Sequence, residues 1–218
     1  MTLIFAFGTS TTYGAWDVEG GWVQRLRKYL DQQQLANLDL YYVIYNLGVS
    51  GDTSQDILER FTFETEQRTK LQDEQEDIIF LFSVGVNDSM FDNKTKKHQI
   101  PLNTYVKNIS ALIQQAKKYT SLSKIFFLGS KPVDDTKVDP IPWKAGCSYL
   151  TTAVELYDAN CAEVCKKNKI PFIDIYIPFK QQRNYSKLLL DGVHPTTEGH
   201  KFIFELVKDF LVQQKVIP

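Results

Sequence analysis

Five short, mostly apolar runs constrain the fold of this 218-residue chain more than any other feature of its sequence. Apolar runs of this length are typical of strands that are covered on both faces of a sheet. Between the runs lie longer segments whose apolar residues recur at helical spacing. This alternation predicts a parallel sheet, because right-handed crossover connections place a helix between successive strands. The runs cover residues 3–7, 41–45, 78–82, 124–129 and 170–175.

The segments between these runs predict five helices. The first covers residues 22–35, the second begins at Asp52 or Thr53 and leads into a charged stretch at residues 64–77, and the third opens at Pro101. The fourth covers residues 149–168, and the fifth closes the chain. Together the elements predict one α/β domain over residues 1–218, a three-layer α/β/α sandwich around a five-stranded parallel sheet. Pro171 predicts that the fifth strand lies at a sheet edge.

The charge balance indicates the class of binding partner, and the cysteines indicate the cellular compartment. The chain has 25 Lys and Arg residues against 26 Asp and Glu residues, so its net charge of -1 gives no basic footprint for nucleic acid or an anionic membrane. We therefore expect a small-molecule substrate. Cys147, Cys161 and Cys165 suit neither a disulfide framework nor a zinc site. Residues 3–7 are too short for a signal peptide or a membrane span, so we expect a cytoplasmic protein without a transmembrane segment.

A serine follows the first apolar run, in the sequence Gly8-Thr9-Ser10. In open α/β sheets, ligands bind at the carboxyl ends of the strands, where the N-termini of the following helices present N–H groups. Ser10 is therefore placed as a nucleophile would be. The alternative interpretation is that Ser10 only caps the next helix, which is a common role for serine at a strand end.

A histidine with a nearby aspartate stands close to the C-terminus, in the sequence Asp191-Gly192-Val193-His194-Pro195. On a short turn, the Asp191 carboxylate can reach the nearer ring nitrogen of His194 and leave the other nitrogen free to face Ser10. This is the arrangement of nucleophile, base and orienting acid that acyl transfer uses. A plain loop histidine beside a turn-forming aspartate is the alternative.

Four sequence blocks taken together resemble those of the SGNH (GDSL-type) hydrolase superfamily, over nearly the whole chain. The resemblance implies a flavodoxin-like α/β/α sandwich and a serine hydrolase acting on carboxylic esters, with some members acting on thioesters or acetylated sugars. The blocks are Gly8-Thr9-Ser10, Asn46-Leu47-Gly48, Gly85-Val86-Asn87-Asp88 and Asp191-Gly192-Val193-His194.

The resemblance also implies a role for each matching residue. Ser10 matches the nucleophile, His194 the general base and Asp191 the acid that orients it. The backbone N–H groups of Ser10 and Gly48 and the side-chain amide of Asn87 match the oxyanion hole, which needs several fixed donors. We predict no cofactor and no metal ion.

Thr9 and Trp143 bear on how the predicted site is built. Thr9 replaces the aspartate of the family's usual Gly-Asp-Ser block, so the loop around Ser10 loses a charge, although the threonine hydroxyl can still accept one backbone N–H bond. Trp143 lies on a long proline-rich loop, and we expect it to line the substrate pocket. We favour small or short-acyl esters, with a lipid or acetylated-sugar ester also open. The oligomeric state is not predicted.

The sequence offers four alternatives to this interpretation. An α/β-hydrolase fits badly, because residue 12 is threonine where the nucleophile elbow has glycine. A flavodoxin-like cofactor-binding domain would need a phosphate-binding motif that residues 8–14 lack. An acyl-CoA thioesterase or lysophospholipase of the same fold stays open. So does a metal-dependent phosphoesterase that uses Asp52, Asp88, Asp191 and His194.

Overall fold

A five-stranded parallel sheet forms the centre of the computed structural model, which describes residues 1–70, 77–121 and 124–218. Its strands are β1 (Thr2–Gly8), β2 (Tyr42–Gly48), β3 (Asp77–Ser83), β6 (Ile125–Leu128) and β8 (Phe172–Ile173). Their spatial order is β2-β1-β3-β6-β8, in which all four neighbouring pairs are parallel. This is the 2-1-3-4-5 order of flavodoxin-like folds, so the predicted fold class is confirmed.

Helices connect the strands and cover both faces of the sheet. All five predicted helices are present, within a few residues of their expected ends. Several short helices lie in the segments that connect these long helices and the strands. The helices are α1 (Ser10–Tyr13), α2 (Gly21–Ala36), α3 (Ser54–Thr69), α4 (Leu102–Ala116), α5 (Asp135–Val138), α6 (Thr151–Asn168), α7 (Tyr176–Lys180) and α8 (Thr197–Gln213), with a 3-10 turn at Tyr185–Leu188.

Side chains alternate between two cores because successive residues of a strand point to opposite faces. Phe5 and Phe7 of β1 pack with residues of α3, α4 and α6 on one face. Ile4 and Ala6 of the same strand pack with α2 and α8 on the other. Both faces of β1 are therefore buried, which explains its continuous apolar sequence. Each fully buried phenylalanine contributes about 1.5–3 kcal/mol to the free energy of unfolding.

The carboxyl ends of the three adjacent strands β2, β1 and β3 lie side by side at the same end of the sheet. Gly8 pairs with Gly48 on one side and with Ser83 on the other. Residues 46–48 were expected in the loop after the second strand, but they belong to β2 because its pairing with β1 continues to Gly48. The loops that follow these ends bring the candidate site together.

Three features of the structure differ from the interpretation of the sequence. A small antiparallel sheet, formed by β4 (Phe91–Asp92), β5 (Lys97–His98) and β7 (Cys147–Ser148), lies in segments expected to be loops. Strand β8 has only two residues, and it occupies the edge that Pro171 predicted. Of the charged stretch, residues 64–69 belong to α3, while residues 71–76 lie outside the described residues.

Helix α3 begins after a capping box. The Thr53 side chain accepts the N–H of Asp56, whose carboxylate accepts the N–H of Thr53. The cap is therefore Thr53 rather than Asp52, which leaves the Asp52 carboxylate for another partner. In the described part of the chain, no helix is long and apolar enough to cross a membrane.

Candidate active site

Ser10 is the first residue of α1, two positions after the end of β1. The Ser10 carbonyl accepts N–H bonds from Gly14 and Ala15, which close the short helix. The residue is 8% exposed, so it is largely shielded from solvent at the carboxyl end of the sheet.

His194 lies between the side chains of Ser10 and Asp191. Its Nδ1 is 2.6 Å from Asp191 Oδ2, and its Nε2 is 2.9 Å from Ser10 Oγ. An ionised carboxylate can only accept hydrogen bonds, so the ring proton belongs on Nδ1 and Nε2 is left as an acceptor for the serine hydroxyl. The structure thus brings these three predicted residues into one hydrogen-bonded series.

The turn between Asp191 and His194 is fixed by backbone bonds as well as by the ring. Asp191 Oδ1 accepts the N–H of Val193 at 2.9 Å and that of His194 at 2.8 Å. Gly192 has φ +95°, a conformation that side chains rarely adopt, which explains the glycine in this position. Burial by itself would raise the pKa of Asp191, but the hydrogen bonds from His194 and Val193 outweigh it and hold the pKa well below its usual range. Asp191 is therefore ionised whenever the site is formed.

An open pocket of about 650 Å³ lies over Ser10 and His194. It reaches the loop after β2 at Ser50 and Gly51, and it includes Asn87 from the loop after β3. A pocket of this size can surround most of a small ligand, but it is too small to enclose a segment of a polymer. The remaining lining residues are Tyr13, Gly14, Ala15, Trp16, Asp17, Val18, Trp143, Tyr149 and Val193.

Two tryptophans flank the His194 ring. Trp143 lines the pocket as expected, with its ring centroid 6.3 Å from that of His194. Trp16 stands 5.9 Å away in an edge-on arrangement, and the sequence interpretation did not distinguish it from a core residue. Its side chain is 67% exposed and its backbone has φ +65°, an unusual and strained conformation for tryptophan. Both rings are available to contact a ligand.

The Asn87 side chain is held at both ends. Its Nδ2 donates to the backbone carbonyl of Asp52 at 2.8 Å, and its Oδ1 accepts from the Tyr149 hydroxyl at 2.8 Å. Burial raises the pKa of Tyr149 to about 12, so the phenol stays a donor. Because a backbone carbonyl can only accept, the nitrogen must face Asp52, and one Nδ2 hydrogen remains for the pocket. No pattern in the sequence pointed to the contribution of Tyr149.

Gly48 does not occupy the position expected of it. Its N–H donates to Asn46 Oδ1 at 3.0 Å, and the residue lies outside the pocket lining. A Cβ on Gly48 would lie 2.1 Å from the backbone nitrogen of Tyr13, so the glycine is required for close packing of α1 against β2. Gly51, three residues later, lines the pocket instead. Within the described ranges, the N–H groups of Ser10 and Gly51 have no protein acceptor.

The hydroxyl of Thr9 does not support the turn that carries Ser10. It occupies the N-cap position of α1, but its side chain makes no capping hydrogen bond. Thr9 and Lys131 instead line a second, smaller cavity of about 20 Å³. Burial lowers the pKa of Lys131 to about 8, and the charge of Asp191 opposes that shift. The expected bond from a backbone N–H to Thr9 is therefore absent among the described contacts.

The residues of the metal-dependent alternative have other partners. Asp52 pairs with Arg60, and Asp88 accepts the N–H of Ser54 at the start of α3. Asp191 is committed to the His194 ring. In residues 1–70, 77–121 and 124–218, no group of three or more His, Cys, Asp or Glu side chains is arranged to hold a metal ion.

Comparisons with known proteins place this geometry in a family. Among curated proteins, the chain is 25% identical over 123 residues to the GDSL esterase/lipase CPRD49 of Arabidopsis thaliana, covering 55% of this chain and 48% of that protein. It is 24% identical over 135 residues to the isoamyl acetate-hydrolyzing esterase 1 homolog of Homo sapiens, covering 61% and 54%. The chain spans about half the length of the curated relatives it matches.

The fold is shared with solved structures. The crystal structure of a lipase/acylhydrolase from Enterococcus faecalis superimposes with a TM-score of 0.74 at 19% identity, over 100% of this chain and 98% of that one. A model of the GDSL-like lipase/acylhydrolase family matches residues 6–202, from within β1 to within α8. Because this match takes in the sheet and every loop of the site, the chain belongs to the GDSL-like lipase/acylhydrolase family.

Proposed function

We propose that this protein is a serine hydrolase that cleaves carboxylic esters of small molecules through an acyl-enzyme intermediate. The observation that carries the proposal is the series from Ser10 Oγ through the His194 ring to Asp191 Oδ2, beside an open pocket. A serine hydroxyl is a weak nucleophile unless a base takes its proton, and His194 Nε2 lies within reach of that proton. Membership of the family supports the same chemistry.

The proposed reaction has two half-reactions. Ser10 Oγ attacks the ester carbonyl carbon while His194 Nε2 takes the serine proton, and Asp191 stabilises the resulting imidazolium. When the tetrahedral intermediate collapses, the bond to the alcohol oxygen breaks and His194 returns the proton to that oxygen. Water then attacks the acyl carbon with His194 again as base. The bond from that carbon to Ser10 Oγ breaks as His194 returns the proton to Oγ, which releases the carboxylic acid and restores Ser10.

Three donors are proposed for the oxyanion. They are the backbone N–H groups of Ser10 and Gly51 and the Nδ2 hydrogen of Asn87 that Asp52 does not use. Gly51 takes the place that the sequence assigned to Gly48. Each donor of this kind stabilises the transition state by about 3 kcal/mol.

We propose a substrate with a short acyl group and an apolar alcohol. Trp16 and Trp143 offer two aromatic walls close to His194, where the leaving alcohol would depart. The relative from Homo sapiens is named for hydrolysis of isoamyl acetate, an ester with these two parts. We therefore propose acetate and similar esters as the substrate class, with an acyl-CoA or a lysophospholipid as the competing outcomes.

We also propose that residues 1–218 act as one catalytic domain in a reducing compartment such as the cytosol. Cys147, Cys161 and Cys165 are buried free thiols, which supports such a compartment. The net charge of -1 supports a small molecule rather than a nucleic acid as the partner.

A substrate panel tests the proposed function. It contains p-nitrophenyl esters from acetyl to palmitoyl, isoamyl acetate, an acetylated sugar, acetyl-CoA and lysophosphatidylcholine, each with and without EDTA. We expect kcat/KM to be highest for acetyl or butyryl esters, to fall by about 10-fold or more toward palmitoyl, and to be indifferent to EDTA. Faster turnover of the thioester or the lysophospholipid would replace the substrate class. Hydrolysis that survives Ser10→Ala and is lost in EDTA would overturn the mechanism.

A further inference from the structure

The guanidinium of Arg60 contacts three segments next to the candidate oxyanion donors. Arg60 lies on α3, and its side chain is 18% exposed. Its Nη2 donates to the carbonyl of Leu47 at 2.7 Å and to that of Gly8 at 3.3 Å. Its Nε donates to Asp52 Oδ2 at 2.8 Å. One side chain therefore binds the ends of β1 and β2 and the loop that follows β2.

The Gly8 and Asp52 contacts each adjoin one donor, and the third donor is linked to Arg60 through Asp52. Gly8 is two residues before Ser10, so the Gly8 carbonyl fixes the start of the nucleophile turn. Asp52 directly follows Gly51, so its carboxylate anchors the loop that presents the Gly51 N–H. The backbone carbonyl of Asp52 accepts Nδ2 of Asn87 at 2.8 Å, which links the loop after β3 to the same anchor. The three donors are thus connected through Arg60.

The chemistry of the contacts favours arginine over lysine. Its partners are two carbonyls and one carboxylate, all acceptors, which a planar guanidinium fork bonds from separate nitrogens, whereas a lysine ammonium is a compact point charge. The guanidinium also lies 5.4 Å from the Phe7 ring centroid, where the aromatic face favours a cation. Burial raises the pKa of Asp52, and the hydrogen bond and charge of Arg60 oppose that shift. Without Arg60, the Asp52 carboxylate would lose the partner that keeps it in place.

Arg68, on the same helix, provides a matched comparison. Its guanidinium lies 5.6 Å from the Tyr45 ring centroid of β2, and it pairs with Glu64 of α3. Arg68 therefore holds α3 against the sheet by contacts similar to those of Arg60. Its ion-pair and aromatic partners, however, belong to β2 and α3 rather than to the loops of the site.

We propose that Arg60 is a positioning residue that sets the spacing of the oxyanion donors on Ser10, Gly51 and Asn87. The inference rests on the proposed ester hydrolysis, because it names what holds that reaction's donors in place. It also accounts for the neutral Thr9, whose side chain makes no capping bond at the nucleophile turn. The turn is tied to its neighbours through the Gly8 carbonyl instead.

Steady-state kinetics of Arg60→Met, Arg60→Lys and Arg68→Met test the proposal, with p-nitrophenyl acetate well below each unfolding temperature. We expect Arg60→Met to lower kcat about 100-fold with KM changed less than about threefold, since misplaced donors act mainly in the transition state. Arg60→Lys, which keeps the charge, should recover about 10-fold of that loss. Arg68→Met should lower the unfolding temperature with kcat near that of the wild type.

Backbone amide hydrogen exchange supplies a readout that needs no substrate. In Arg60→Met, amides of residues 46–53 and 84–90 should exchange about 10-fold faster, whereas Arg68→Met should leave them unchanged. A kcat within about threefold of wild type in folded Arg60→Met, or equal losses in both variants, would overturn the proposal. If Arg60→Met does not fold, Arg60→Lys decides on the same criteria. If the wild type hydrolyses no ester, the proposed function fails, while the exchange comparison still decides whether Arg60 orders these loops.

Discussion

His194 Nε2 lies 2.9 Å from Ser10 Oγ, although 184 positions of chain separate the two residues. The contact exists because Ser10 follows the interior strand β1 and His194 precedes α8 at the same end of the sheet. If the pair transfers a proton, Ser10→Ala and His194→Ala should each lower kcat by about 10⁴- to 10⁶-fold, and the double variant should be no worse than either single one. Ser50→Ala, a change at another serine of the pocket, is the control. Additive losses would show that the two residues do not act as a unit.

Tyr149 and Asn87 should show coupled effects on turnover. Asn87→Ala should lower kcat by about 10²- to 10³-fold with little change in KM, because an oxyanion donor acts mainly in the transition state. Tyr149→Phe keeps Asn87 but frees one end of its amide, so we expect a loss of about 10-fold. Added to Asn87→Ala, the same change should have no further effect, as a double-mutant cycle would reveal. Tyr13→Phe serves as the control, and an undiminished effect of Tyr149→Phe in the Asn87→Ala background would assign Tyr149 to another task.

Thr9→Val should leave kcat within about threefold of wild type, because the Thr9 hydroxyl makes no capping bond that the substitution would remove. This expectation differs from the one that the family's aspartate suggests, in which the side chain at this position holds the turn. Thr9→Asp should fold, since the new carboxylate would share a cavity with the Lys131 ammonium. Thermal unfolding and ester turnover of both variants check the two statements. A loss of 10-fold or more in Thr9→Val would return the supporting role to Thr9.

Asp158 should make the protein less stable as the pH rises from about 4 to about 7. It is buried, it accepts the N–H of Ser130 at 2.5 Å, and burial raises its pKa to about 7. In the unfolded chain this carboxyl has a pKa near 3.9, about three units lower than in the folded protein. The contribution of Asp158 to the free energy of unfolding is therefore complete below about pH 3.9 and is lost by about pH 7. Burial also raises the pKa of Asp88, to about 6, which acts in the same direction.

Asp158→Asn isolates that contribution, because the amide oxygen can still accept the N–H of Ser130. Unfolding temperatures measured at about pH 4.5 and 7.5 should differ less in this variant than in the wild type. Asp39→Asn, at an exposed position, should behave as the wild type does. An unchanged difference in Asp158→Asn would mean that Asp158 is ionised throughout in the folded protein.

The sequence predicted the features whose cause is local. The buried strands are continuous apolar runs, and Asp191 reaches His194 because the two stand three positions apart on a turn that contains Gly192. Which glycine lines the pocket, Gly48 or Gly51, does not follow from the neighbouring sequence. It depends on how far β2 stays paired with β1, because that pairing keeps Gly48 in the sheet and leaves Gly51 in the loop.

Arg60 and Tyr149 could not be assigned from the sequence for a related reason. Arg60 reaches Gly8 across 52 positions, and Tyr149 reaches Asn87 across 62. No spacing rule connects such pairs, because their contacts arise only when α3 and the segment before α6 pack against the sheet. The same holds for Trp16, whose position beside His194 follows from the turn after α1 rather than from its neighbours in sequence.

Covalent trapping by a fluorophosphonate tests the central claim, that Ser10 is a nucleophile activated by His194, most directly. Intact-mass analysis followed by peptide mapping should find one phosphonyl adduct per chain, on Ser10, formed at least about 10³-fold more slowly in His194→Ala. A crystal structure of the adduct should place a phosphonyl oxygen about 2.7–3.1 Å from the nitrogens of Ser10, Gly51 and Asn87 Nδ2. An adduct on another residue, or no adduct while ester hydrolysis proceeds, would contradict the account.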